Sequence, residues 1–154
     1  MLDVFKRTHA ETDYLATYTD ENTYTPESEA ALLKRLDESR NEVEILAVIN
    51  GKLAGTAGIH PLGVKSKMRH RAEFGIGILK EYWGLGIGTE LTNACIECAR
   101  QAGYTQLELD VVAENSRAIA LYKKCGFTEF GRNPRGFYSK YGCYQELVYM
   151  RIEL

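Results

Sequence analysis

Apolar and polar positions change rhythm several times along the chain, and each rhythm predicts an element. Residues 1–8 read as a short first strand, and residues 8–22 and 26–38 as helices. The second helix has Thr25 as N-cap and Pro26 at its first helical position. Glu27 follows in the first turn, where the helix dipole favours negative charge. Ser28 stands where a capping box carries Glu or Gln, so the full box reads as absent. In "EVEILAVINGKLAGTAGIH" two apolar runs flank Asn50-Gly51, the residues a type I′ hairpin turn prefers. Another strand is predicted over 70–79, "HRAEFGIGIL". Beyond it Leu91, Ala94, Cys95, Cys98, Ala99 and Ala102 recur at helical spacing, and Gly103 stops that helix. "LELDVV" (107–112) alternates as a strand. "ENSRAIALYKKCGF" is a short helix with Asn115 as N-cap and Gly126 just past its end. Strands near 127–132 and 144–152 finish the chain. The order predicts a single mixed α/β layer domain over residues 1–154, with no repeat or linker.

The bulk numbers narrow the class. At 154 residues and 45% hydrophobic content, the chain can bury one core. A net charge of −2 argues against a dedicated nucleic-acid binder. No apolar run approaches the roughly 18 residues of a spanning helix, so no membrane partner is expected. "MLDVFKRTHAETD" lacks the apolar core of a secretion signal, which predicts a cytoplasmic protein. Cys95, Cys98, Cys125 and Cys143 are then expected to be reduced. "CIEC" at Cys95–Cys98 lies in a helix pattern with no second CxxC or HxxxH, and reads as core packing rather than metal ligation. "KSKMRHR" (65–71) reads as a solvated hairpin loop; attraction of an acidic partner or a nucleotide phosphate is the alternative.

Candidate chemistry starts at "YWGLGIGTEL", Tyr82 to Leu91. Gly84, Gly86 and Gly88 separate a strand from a helix start. The first helical turn has N–H groups without intrahelical partners, at the positive end of the dipole. Missing side chains let a phosphate reach them, which predicts a pyrophosphate cradle over Trp83, Gly84, Leu85, Gly86, Ile87, Gly88 and Thr89. A nucleoside triphosphate loop would need a lysine before Thr89. A GxGxxG dinucleotide fingerprint fails at Thr89 or Leu91, although Glu108 and Asp110 lie at a suitable distance.

Together, "Trp83-Gly84-Leu85-Gly86-Ile87-Gly88" and "Asn115…Ala118…Leu121-Tyr122…Gly126-Phe127" resemble the GNAT superfamily of acetyl-CoA-dependent N-acetyltransferases, over roughly residues 43–130. The resemblance implies a mixed, mostly antiparallel sheet of about six or seven strands, flanked by about four helices. A splay is implied between the fourth and fifth strands, those at 70–79 and 107–112. It implies acetyl-CoA as cosubstrate, no metal, and an amine acceptor, either a small amine, a polyamine or a protein amine. Tyr122 would be the acid for the departing thiolate; a Tyr is protonated at neutral pH, with a reference pKa of about 10. Asn115 and Ala118 would lie along the cofactor. Ile76 and Ile78 would offer main-chain contacts to the pantetheine arm, as a substitute strand would. Glu73 is the candidate base, with His60 or a water as alternatives. Burial near the cleft would raise the pKa of Glu73. Trp83 departs from the Arg or Gln usual at its position, which removes one side-chain contact to the phosphates. The N-terminal helices would form one acceptor wall, where Tyr14, Tyr18 and Tyr24 mix with Asp13, Asp20, Glu21 and Glu27. A homodimer is left open.

Two other classes stay in view: a non-catalytic acyl-CoA sensor and a dinucleotide-binding oxidoreductase. An acetyl-CoA assay over varied amines separates the first from an enzyme, and calorimetry of CoA against NAD separates the second.

Overall fold

A computed structural model describes residues 1–21 and 25–154. Its elements are α1 (Leu2–Glu11), α2 (Pro26–Glu38), β1 (Val43–Ile49), β2 (Lys52–Pro61), β3 (Arg71–Ile78), α3 (Ile87–Gln101), β4 (Gln106–Val112), α4 (Ser116–Lys124), β5 (Thr128–Tyr138) and β6 (Tyr144–Glu153). Short 3₁₀ turns stand at Thr19–Glu21 and Lys80–Tyr82. The six strands form one sheet in the order β1-β2-β3-β4-β6-β5. Every pairing is antiparallel except β3 with β4.

The N-terminus departs from expectation. Residues 2–11 form a helix, not a strand, because Val4 and Thr8, one turn apart, are the positions it buries. The helix expected over 8–22 is correspondingly absent: α1 stops at Glu11, and a single 3₁₀ turn follows at Thr19–Glu21. The cap of α2 also differs. Thr25 Oγ1 accepts from the Ser28 amide at 3.3 Å, and Ser28 Oγ accepts from the Thr25 amide at 2.9 Å. Serine therefore completes the reciprocal box that the sequence reading assigned only to Glu or Gln.

The β1–β2 turn follows the expected chemistry: Asn50 and Gly51 both have positive φ, 49° and 74°. A bulge between Ala47 and Val48 then shifts the register, so that Glu44 lies opposite Gly58. Helix α3 covers one sheet face. Its stripe of Ile87, Leu91, Cys95, Ile96 and Ala99 meets Ala57, Ile59, Phe74 and Leu107 in the core. Each large aliphatic in that stripe contributes roughly 1.5–3 kcal/mol by burial. Cys95 is fully buried there and Cys98 packs at its edge, as expected of a packing pair; burial pushes the Cys95 thiol up to about 12. Helices α1 and α2 contact the sheet through β1, β2 and β3. Among the described residues, no helix is long and apolar enough to cross a membrane.

One break in the sheet positions everything that follows. β3 and β4 pair only from Arg71–Gln106 to Glu73–Glu108. Arg71 grips the buried Glu108 carboxylate with two bonds, 2.5 and 2.8 Å, at the last paired rung. Beyond it the strands part. This is the splay expected between the strands at 70–79 and 107–112, third and fourth in the chain because the N-terminal segment is helical.

Candidate active site

The splay opens into a cleft of about 530 Å³, lined by the end of β3, the glycine turn, the start of α4 and the segment after α1. In the glycine turn, Gly84 and Gly86 have φ of 82° and 84°, a conformation that suits residues without a Cβ. At Gly88 space is the constraint: a Cβ would lie 2.9 Å from Leu121 Cδ2. The cradle is narrower than Trp83–Thr89. The Trp83 amide donates to the Lys80 carbonyl at 3.1 Å, and the Thr89 amide to the Gly86 carbonyl at 3.0 Å. Those two donors are spent. The amides of Gly84, Leu85, Gly86, Ile87 and Gly88 have no partner among the described residues. Five free N–H groups at the head of a fifteen-residue helix fit a diphosphate. The Leu85 side chain is 63% exposed and stays outside the cleft.

Trp83 has a structural task instead of a phosphate contact. Its indole N–H donates to the Ile78 carbonyl at 2.8 Å, which ties the turn to the end of β3. The Arg117 guanidinium stacks on the indole, 4.9 Å from its centroid. An Arg117 nitrogen lies 3.6 Å from where a Cβ of Gly84 would be. Arg117 has no carboxylate partner among the described residues, so a free cation overhangs the cradle. Sequence reasoning missed it; its place in the first turn of α4, two residues after Asn115, was the available signal.

The ladder decides which β3 groups face the splay. Leu79 donates to the Ala54 carbonyl at 3.0 Å and Leu62 to the Arg71 carbonyl at 3.1 Å. In an antiparallel ladder, alternate residues bond the same neighbour. Odd-numbered β3 residues therefore serve β2, and the main chains of Ile76 and Ile78 face the gap. The Ile78 carbonyl is taken by Trp83; the Ile76 groups and the Ile78 N–H remain.

Tyr122 and Asn115 line the same cleft, as their seven-residue spacing predicts. Asn115 Oδ1 accepts the Ala118 amide at 3.2 Å, so Ala118 lines the cleft with its N–H already committed. Replacing Asn115 by Ala should cost about 1 kcal/mol of cap energy. Thermal unfolding should then show a midpoint lower by about 2–4 °C.

The Tyr122 ring is buried among Phe74 and Phe127, with centroids 6.1 and 6.0 Å away. Its hydroxyl makes no hydrogen bond among the described residues, yet it is not a sealed-off polar atom, so it opens on the cleft. Burial raises its pKa well above the ordinary tyrosine range, and the nearby Cys125 adds to this.

The carboxylates rearrange the expected base. Glu73 lines the cleft but is exposed, so the burial expected to tune it is absent. Arg71, two residues before it on β3, is committed to Glu108. Across the splay stands Asp110, which also lines the cleft and is likewise exposed. Its pKa is raised, first by partial desolvation at the cleft wall, then by the negative charges of Glu73 and Glu108. From sequence, Asp110 stands out only for its distance from the glycines, as a dinucleotide fingerprint would have it. His60 lies outside this cleft and lines a separate cavity on the α1–α2 side.

The expected acidic acceptor wall is also altered. Tyr14 lines the cleft, but Asp13 is used internally: Ser139 Oγ donates to its carboxylate at 3.1 Å, and Gln145 Nε2 to its carbonyl at 3.1 Å. The Tyr18 hydroxyl accepts the Lys140 amide at 2.9 Å, and Glu21 accepts the Tyr18 amide. Glu27 and Asp20 are exposed and line neither cavity. Tyr24 lies outside the described residues. The basic loop residues Lys65, Lys67 and Arg69 are exposed and line neither cavity, as a solvated hairpin loop would be, but Arg71 departs from that reading: it opens β3 and is paired with Glu108.

A family model described as the acetyltransferase (GNAT) family matches residues 8–127. The chain belongs to the GNAT acetyltransferase family. A GNAT acetyltransferase from Streptococcus pneumoniae is 31% identical, with a TM-score of 0.91 over 99% of this chain and 94% of that one. A GNAT phosphinothricin acetyltransferase from Sinorhizobium meliloti, solved with acetyl-CoA, shares the fold at a TM-score of 0.85 and 19% identity, over 99% of this chain and 80% of that one. N-alpha-acetyltransferase 30 of Schizosaccharomyces pombe is 28% identical over 74 residues, which cover 48% of this chain. The match spans 49% of that relative's length.

Proposed function

We propose that this GNAT protein transfers an acetyl group from acetyl-CoA to a primary amine by direct attack in a ternary complex. The observation that carries this is the run of free amides from Gly84 to Gly88, set in one cleft with the Tyr122 hydroxyl and the Asp110 and Glu73 carboxylates. Acetyl-CoA supplies the activated thioester. The five amides bind the diphosphate, and Arg117 adds the positive charge that Trp83 lacks. The Ile76 main chain orients the pantetheine arm along the unpaired edge of β3. Asp110, with Glu73 across the gap, holds the proton released by the acceptor ammonium. Tyr122 holds a proton at Oη for the departing sulfur.

Acetyl-CoA consumption over an amine panel tests the reaction, with calorimetry of CoA against NAD beside it. Product on any amine and preference for CoA are the expected results. CoA binding without product on the whole panel would leave a sensor. Replacing Arg117 by Ala should raise the acetyl-CoA KM roughly tenfold, the worth of one charge-assisted bond. Saturated kcat should hold, and the salt dependence of KM should flatten. Lysine at 117 should recover only part of the loss, because it does not stack on the indole as guanidinium does.

A further inference from the structure

A second cavity, of about 390 Å³, lies between the sheet and helices α1 and α2. Its walls are apolar, with Val4, Phe5, Leu15, Leu32 and Leu36 among them. It meets the acetyl-transfer cleft along Gly75, Ile76 and Gly77, which line both spaces. Its floor is built from missing side chains. Gly58 and Gly75 are register partners on β2 and β3. The Glu44 carboxylate lies across Gly58, with Oε2 on the spot that a Cβ would occupy. At Gly75 a Cβ would meet nothing within 4 Å. The carboxylate is therefore aimed along the floor towards the junction of the two spaces.

Glu44 forms no salt bridge among the described residues. Burial raises its carboxyl pKa, while the Thr56 hydroxyl and His60 beside it pull the other way. Other charged groups on the walls are engaged: Arg35 pairs with Glu42, and Glu29 takes both the Met1 ammonium at 3.3 Å and the Leu2 amide at 2.7 Å. His9 Nδ1 is bonded to the Phe5 carbonyl at 2.7 Å. The cavity thus offers the Glu44 carboxylate, in no salt bridge among the described residues though near His60, and no unengaged arginine or lysine for an acceptor's carboxylate.

Resting on the transferase reading, we infer that the acceptor is an alkyl diamine or polyamine whose far ammonium binds Glu44 while its near amine reaches the Asp110–Glu73 pair. One strand spacing across and two residues along separate Gly58 from Glu73, roughly 8 Å, which suits a spacer of about four to six carbons. The apolar walls cover that spacer. The near ammonium gives one proton to the Asp110 carboxylate and on to solvent. Its nitrogen forms the N–C bond as the thioester C–S bond breaks; the Tyr122 Oη proton passes to sulfur, and the nitrogen's second proton, relayed through solvent, restores Tyr122. The product keeps one N–H and its far charge on Glu44.

Steady-state kinetics with cadaverine and n-pentylamine, which share chain length, test this. The wild-type protein should favour cadaverine in kcat/KM by about tenfold, as one charged contact provides. Glu44→Gln should raise the cadaverine KM with kcat kept, collapsing that preference, with an unchanged melting temperature. Gly75→Val, which enters open space, should block cadaverine while acetyl-CoA affinity persists. Equal use of the two amines, an unchanged preference in Glu44→Gln, or undiminished cadaverine turnover in Gly75→Val would each overturn the inference. Turnover of peptide amines but not diamines would sink it alone; CoA binding with no amine acetylated would sink the transferase reading with it.

Discussion

Replacing Tyr122 by Phe should lower kcat about a hundredfold, the usual worth of a positioned acid. The ring would keep its contacts with Phe74 and Phe127, so the melting temperature and CoA affinity should hold. Only the Oη proton is removed. Because burial raises the Tyr122 pKa, the hydroxyl stays protonated through neutral and mildly alkaline solution. Tyr122 should therefore impose no falling limb on the rate profile below about pH 10. Single-turnover rates, where chemistry limits, make the decisive measurement. An unchanged rate in Tyr122→Phe would remove the residue from the proton path.

Replacing Asp110 by Asn should cost a similar factor, and its signature is a pH profile. A base works only when deprotonated, so kcat/KM should rise with pH through the Asp110 titration and level off above it. Since that pKa is raised, the inflection should lie above the ordinary aspartate value of about 3.9. Glu73→Gln removes one of the neighbouring charges that hold it up, so the inflection should move to lower pH. Both carboxylates line the cleft, and Glu73 is one of the charges acting on Asp110. If the acidic limb survives in Asp110→Asn, the base is elsewhere.

Much of this was legible in residue order, where local chemistry dictates conformation. Asn50-Gly51 dictated its turn, Gly103 ended α3, and Asn115 capped α4. The glycines before α3 announced the cradle. What failed depended on distance. The Leu2–Glu11 segment was misread because its alternating start, Leu-Asp-Val, hid the Val4–Thr8 period that the core selects. Counting outward from the hairpin turn pairs Glu44 with Ala57; the bulge at Ala47/Val48 moves it to Gly58, and no residue there advertises a bulge. Asp110 drew notice in the sequence only for its distance from the glycines. Its altered acidity comes from desolvation at the cleft wall and from the charges of Glu73 on β3 and Glu108 on its own strand, an environment set by tertiary structure. Trp83 looked like a lost contact because Arg117, thirty-odd positions later, could not be placed on its ring before the fold was known.

The bonds that Ser139 and Gln145 donate to Asp13 fasten the stretch after α1 to the turn beyond β5 and to the start of β6. Substrate preference can thus drift through changes at that remote hairpin. A lineage could acquire a new diet of amines by altering a few surface positions near Ser139, while its thioester machinery is inherited intact.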